Sequence, residues 1–374
     1  MTKVAVIGNT SRNIGAACAA DLALSGHDVR YFLFPEAAGE LPALQKLGGF
    51  DVRGDAHTFF AGRTGKAVLH AICSDPKDAL ELAEVVLLDV EMSRLEQQFQ
   101  KIIPWLPRGA LVYVQSFGYW AAARLAPLLR AAGRGDVLVC EAAVPTHAAS
   151  LSEGVLTGAV LRRGIEIATM PGHRVDDALK LLRTLFPDFV AAPSVLQTSL
   201  ESVNLMVHPA MALLGIGVME QAAGRGERIH FYRDCNVPSA GRLAEALDDE
   251  RGRVCAAYGV RHRRLPVAID HYYGTSGDRV YDAVLNCAAY QRGFGTVPAH
   301  TWRNWELVDV SYAIAPLVML ADQAGIAAPL HRGAAEILGV VLGIDPWTSG
   351  PSLKDMDLVG SSDELAARYG GLQA

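Results

Sequence analysis

The sequence predicts an α/β domain on a doubly wound parallel sheet, over 1–195, followed by a mainly α-helical domain over 196–374. Three observations carry this reading. A strand, a Gly-bearing turn, an Ala-rich helix and a second strand succeed one another within the first 34 residues. Strand and helix patterns then alternate to about residue 142. From Leu196 onward helical patterns dominate and few strands are evident.

Taken in order, residues 3–7 (KVAVI) form a continuous apolar run bounded by Gly8, as in a buried parallel strand. A polar turn follows, then an Ala-rich helix over 16–24, ended by Ser25-Gly26-His27, and a strand over 29–34. This is a βαβ unit, the opening of a dinucleotide-binding fold. Strands over 66–72, 85–90, 110–115 and 136–142 alternate with helices over 75–84, 93–105 and 121–132. Residues 155–170 read as further strand pairing and 174–186 as a helix, with the domain closing near Pro193. The second domain shows helical patterns over 199–221, 240–258, 277–290, 305–324 and 330–342, and a short capped helix in the tail.

Composition bounds the rest. At 51% hydrophobic and 20% charged residues the chain is that of a globular protein. A net charge of −6 gives no reason to expect nucleic acid or an acidic membrane surface. The basic run 261–264 (RHRR) reads as a solvated turn. Six scattered cysteines without CxxC spacing indicate neither a metal site nor a disulfide framework. The chain opens directly into a strand and shows no apolar run approaching the ~20 residues that span a bilayer, so a cytoplasmic setting is expected. Mainly helical second domains often dimerise, and a homodimer stays open.

Two stretches carry candidate chemistry. The turn Gly8, Asn9, Thr10, Ser11, Arg12, Asn13, Ile14, Gly15 stands where a Gly-rich loop brings backbone N–H groups and a helix N-terminus to a pyrophosphate. It is not GxGxxG; the alternative is a nucleotide-free domain using Gly15 only for close packing. The slot for a ribose-binding acid falls at Leu33, with Glu36 three residues on. A missing acid removes a carboxylate that would repel a 2′-phosphate, which Arg12 could meet, so the reading leans towards NADPH over NADH. The second stretch, 202–215 (SVNLMVHPAMALLG), sets Asn204 and His208 four apart on one face of an apolar helix. The plain alternative is a core histidine satisfied by a hydrogen bond. A further polar cluster spans Arg303 to Asp309, which could equally be a structural pair at a helix start. Tyr272, Tyr273 and Gly274 line a cleft or simply pack, and Asp248, Glu250 and Arg251 read as a helix-surface ion-pair set. Residues 115–118 follow a strand at the carboxyl edge of the sheet.

Over nearly its whole length the chain resembles the opine dehydrogenases, the octopine/nopaline dehydrogenase-like group. The N-terminal matches are KVAVIG, AADLALSGHDV and DPKDALELAEVVLL; the more specific ones are NLMVHPAMALL, FYRDCNVPS, EALDDERGRVCAAYGV, YYGTSGDRVYDAVLNCAAY and the stretch 303–316. The resemblance implies an oxidoreductase that joins the amino group of an amino acid to a 2-oxo acid and reduces the imine with NAD(P)H. It implies His208 as the proton-relay histidine, Asp309 as its partner and Arg303 as the anchor for a substrate carboxylate; Asn204 is a candidate substrate contact whose plain alternative is to cap or brace the helix. The departures are specific. Arg303 and Asp309 are six apart rather than five, Leu307 or Val308 stands for the family's Glu, and Ser311 for its Pro. Glu91 and Leu95 occupy the places of a Pro and a His. Two rivals remain: a two-domain dehydrogenase of keto or 2-hydroxy acids using no amine, and a non-catalytic nucleotide-binding sensor.

Overall fold

The computed structural model describes residues 1–275 and 277–369. They form two compact units, Met1–Thr198 and the described residues from Ser199 onward. The strands of the first are β1 (Lys3–Ile7), β2 (Asp28–Phe32), β3 (Gly49–Arg53), β4 (Gly65–Val68), β5 (Ala71–Cys73), β6 (Val85–Leu88), β7 (Leu111–Val114), β8 (Leu138–Ala142), β9 (His147–Ser152), β10 (Val155–Leu161), β11 (Glu166–Met170) and β12 (Val190–Ala191). Its helices are α1 (Ile14–Leu24), α2 (Leu41–Leu47), α3 (Pro76–Leu80), α4 (Leu95–Ile102), α5 (Ala121–Ala131) and α6 (Val175–Leu185), and α7 (Val195–Leu200) carries the chain across the boundary into the second unit.

The main sheet has the order β12-β11-β8-β7-β6-β1-β2-β5. From β5 to β8 every pair is parallel, whereas β11 pairs antiparallel with β8. Strands β6, β7 and β8 are buried at every position; β6 and β7 are unbroken apolar runs, and β8 carries one charged residue, the buried Glu141. The strand order reverses between β1 and β6, so the loops after these strands diverge at a topological switch point, the usual ligand crevice of such sheets.

A second sheet, β4-β3-β10-β9, was not legible beforehand. The expected strand 66–72 is two strands: β4 joins this small sheet and β5 the main one, because the backbone leaves the extended ladder at Leu69 and His70.

The second unit holds α8 (Asn204–Gly224), α9 (Phe231–Asp234), α10 (Pro238–Ala257), α11 (Leu265–Tyr273), α12 (Val280–Asn286), α13 (Trp302–Asp309), α14 (Ala315–Gln323), α15 (Pro329–Leu342) and α16 (Ser362–Tyr369), with a short ribbon of β13 (Arg228–Ile229) and β14 (Val297–Pro298). The 21-residue α8 packs against α9, α10, α13 and α15. The helix expected over 305–324 is interrupted by a π-helical turn, Val310–Ile314. Pro316 has no N–H to give Tyr312, and the ladder shifts register just ahead of it.

Two expectations are corrected. Val195–Gly224 is, by length and composition, long and apolar enough to cross a membrane at 30 residues, but 72% of its apolar window is buried in protein, as in a core helix. Asp248, Glu250 and Arg251 do not lie on a helix surface; all three are buried, because α10 is covered by α8, α12 and α15. Arg251 bridges Asp248 and the carbonyls of Leu200 and Arg263, while Glu250 accepts the Leu330 and His331 N–H groups that open α15. The basic run is likewise not only solvated: Arg263 and Arg261 reach the buried Glu201, and His262 reaches Asp248.

Candidate active site

In the first unit the turn after β1 lies at the switch point and is tied down by carboxylates from the neighbouring strand end. Asp89, the residue after β6, accepts from the Thr10 N–H at 2.9 Å, the Gly15 N–H at 2.6 Å and the Thr10 hydroxyl at 3.2 Å, all on Oδ2. The Ser11 N–H points at Glu91 at 3.4 Å. Asn9 accepts from the Ala16 N–H and donates to Asn13, whose own amide donates to the Ala149 carbonyl. Asn13 holds φ at 52°, a left-handed conformation that Asn tolerates just before α1. Gly8 and Gly15 are required by the protein itself. A Cβ on Gly8 would lie 2.4 Å from the Asp89 carbonyl, and one on Gly15 2.4 Å from the Gly8 carbonyl.

The loop's Thr10 and Gly15 N–H donors thus already serve an internal carboxylate. Burial pushes the Asp89 carboxyl up to about 6, against the opposing pull of its N–H donors, and among the described residues its Oδ1 has no hydrogen-bond partner. Place, glycines and helix N-terminus fit a dinucleotide. Leu33 is buried just past β2, and Glu36 is engaged with Arg94 and Gln98.

The same unit contains a His–Asp pair the sequence reading missed. His147 Nε2 lies 2.9 Å from Asp21. Asp21 also accepts the Phe60 and Ala61 N–H groups, so this pair fastens a loop to α1. Gln115 joins the same buried network through Cys18 and Thr146.

In the second unit α8 and α13 bring His208 and Asp309 together across 101 residues of sequence, with Nδ1 to Oδ2 at 2.7 Å. The other ring nitrogen, Nε2, lies 2.8 Å from the Tyr232 hydroxyl. Aromatic rings enclose the imidazole: Phe231 edge-on at 5.6 Å and Trp305 stacked at 6.3 Å, with Tyr290 stacked on Tyr232 at 4.4 Å. Burial excludes water and strengthens the pair electrostatically, and a carboxylate on Nδ1 fixes the tautomer that leaves Nε2 for proton transfer.

Asn204 opens α8, buried, one turn before His208. Arg303 is not brought to the dyad: it is half-exposed, donates to the Val341 carbonyl at 3.0 Å and lies 3.6 Å from Glu220. Glu220 follows His208 by twelve residues on α8, about 18 Å along the axis. Tyr272 is buried and meets Arg263, and Tyr273 packs on Tyr290.

Two members of the site escaped the sequence reading. Tyr232 lies in the FYRDCNVPS stretch, but nothing in that stretch says it faces His208. Glu306 was legible: it precedes Asp309 by three residues, so on a helix the two share a face. Ligand atoms of His208, Glu306 and Asp309 lie within 4.8 Å of one another, a spacing that could also hold a cation; in this arrangement both ring nitrogens of His208 are engaged in hydrogen bonds.

Residues 191–342 match the family described as NAD/NADP octopine/nopaline dehydrogenase, alpha-helical domain. The opine dehydrogenase of Arthrobacter sp. (strain 1C) is 26% identical over 352 residues, covering 93% of each chain. Among solved structures, octopine dehydrogenase with NADH and L-arginine superposes with a TM-score of 0.72 at 19% identity, over 100% of this chain and 99% of its own. Yersinopine dehydrogenase with NADP+ bound gives 0.64 at 14% identity, over 99% and 98%. Fold, helical-domain match and full-length likeness agree: the chain is similar to the opine dehydrogenases, and its second half matches the alpha-helical domain of the NAD/NADP octopine/nopaline dehydrogenases.

Proposed function

We propose that this protein catalyses the NAD(P)H-dependent reductive condensation of an amino acid with a 2-oxo acid, acting on the CH–NH bond. The single observation that carries the proposal is His208, buried among aromatic rings with Asp309 at 2.7 Å on one nitrogen and Tyr232 at 2.8 Å on the other. His208 is the general acid/base: it takes a proton from the attacking ammonium group and returns it to the departing oxygen. Asp309 orients the ring and favours imidazolium; Tyr232 holds Nε2 in line until substrate arrives. Asn204, one turn away on α8, contacts substrate. Arg303 serves as the carboxylate anchor by exchanging the Val341 carbonyl and Glu220 for a substrate carboxylate, which its planar guanidinium can hold bidentately.

The first unit is the nucleotide-binding domain and the second the substrate domain. The nicotinamide supplies a hydride. The turn from Gly8 to Gly15 receives the pyrophosphate, and the absence of an acid at Leu33, with Glu36 already paired, favours NADPH over NADH.

The experiment is a nicotinamide fluorescence titration with NADPH and NADH, following oxidation with pyruvate plus a panel of amino acids. Amino-acid-dependent oxidation by wild type, lowered about 10²–10⁴-fold in His208→Ala with nucleotide binding retained, is the expected result. Oxidation without any amine would favour the keto acid dehydrogenase reading. Wild-type turnover in His208→Ala would sink the mechanism.

A further inference from the structure

Reductive condensation consumes one proton per turnover. The amino acid's nitrogen enters as ammonium with three hydrogens and leaves in the product as a secondary ammonium with two. The carbonyl oxygen departs as water with two. As the C–N bond forms and the C–O bond breaks, one of those two protons comes from the nitrogen, and the hydride goes to carbon. The second proton must come from outside the substrates. His208, taking one proton and returning it, cannot supply it.

Glu306 has the place and the chemistry to do so. It lies on α13 one turn before Asp309, almost wholly buried at 1% exposure. Among the described residues neither of its oxygens has a hydrogen-bond partner, which an ionised carboxylate in such a place would not tolerate. A carboxyl oxygen lies within 4.8 Å of both the His208 ring nitrogen and the Asp309 carboxylate. Among the described residues the ionisable groups grouped with it are Asp309 on its own helix and His208 from α8, with Tyr232 beyond His208. Burial first, and then the Asp309 charge, hold the Glu306 carboxyl well above the usual carboxylate range. Two carboxyl groups this close share one negative charge, and Asp309, bonded to Nδ1, keeps it.

We propose that Glu306 is the proton store of this site, a neutral carboxylic acid that passes one proton to the Asp309–His208 pair in each turnover and is reloaded from solvent afterwards. The inference rests on the reductive-condensation reading; the protonation state it requires can be tested without turnover. Infrared spectra of the enzyme at about pH 8 should show a protonated-carboxyl stretch that disappears in Glu306→Gln. Its absence from wild type at that pH, or its persistence in the variant, overturns the proposal. In steady-state kinetics Glu306→Gln should lower kcat about tenfold at about pH 8–9, less at about pH 6 where solvent protons are plentiful, with KM and nucleotide Kd within about twofold. Glu306→Asp, which keeps a carboxyl, should recover most of the rate. A Glu306→Gln variant with wild-type kcat throughout that range overturns the store. A wild type that never oxidises NAD(P)H in the presence of an amino acid and an oxo acid overturns the reading of function instead, and the infrared result stands apart from it.

Discussion

Asp89 couples the nucleotide loop to pH in a direction that can be worked from the structure. Its buried carboxyl titrates at about 6, up from an ordinary value of 3.8, because desolvation outweighs the N–H groups of Thr10 and Gly15. As pH rises between these values the unfolded chain releases this proton while the folded chain keeps it. The folded state therefore loses stability through that window, by about 1.4 kcal/mol per pH unit and about 3 kcal/mol in all, and the loss persists above it. Binding should follow the same sign. The Thr10 and Gly15 N–H groups cannot serve an ionised Asp89 and a phosphate together, so nucleotide Kd should rise by up to about tenfold per pH unit above about 6. Asp89→Asn removes the ionisation but keeps an acceptor for the two N–H groups. Urea unfolding of wild type and Asp89→Asn at steps from about pH 4 to about pH 7 should show the wild type losing about 3 kcal/mol relative to the variant. NADPH titrations should show a Kd that climbs with pH only in the wild type. Parallel stability curves together with a flat wild-type Kd profile would refute the reasoning.

Four further outcomes are expected. Tyr232→Phe removes the hydroxyl 2.8 Å from His208 Nε2 and should cost about 1 kcal/mol of stability, with a changed pH profile of kcat; an unchanged profile would place Tyr232 outside the relay. Arg303→Ala should raise KM for a carboxylate substrate about tenfold or more with little change in nucleotide Kd, whereas an unaltered KM would leave Arg303 a brace between α8 and α15. Arg251→Met strands the buried Asp248 charge and should cost about 3–5 kcal/mol in chemical denaturation. Arg261→Ala, which loses a 3.8 Å contact from a half-exposed side chain, should change stability by under about 1 kcal/mol.

The residues show how far a single chain can be read. The main sheet was legible because its central strands are short, largely apolar runs separated by helices, a pattern with few competing arrangements. The small sheet was not, since β3, β4, β9 and β10 are half-exposed and come from distant segments. The candidate histidine was visible as a polar residue on an apolar helix, and its pairing with Asp309 came only as an implication of family likeness. Glu306 shares a helical face with Asp309 through i,i+3 spacing, whereas the family's Glu adjoins its Asp in sequence. Asp248 and Arg251 looked like surface ions, because i,i+3 charge pairs read the same way on exposed and buried helices.

Periodicity and turn chemistry were enough to specify which segments are strands and helices, where the glycine turn falls and where the helical half begins, because these depend on near neighbours in sequence. Which side chains meet is set by packing between helices far apart in the chain. Only that packing brings His208, Tyr232, Glu306 and Asp309 into one water-excluded site, turns Arg303 aside towards Val341, and gives the loop's N–H groups to Asp89. Burial then decides the protonation of Asp89 and Glu306, since a carboxyl group's charge depends on its surroundings and not on its place in the sequence.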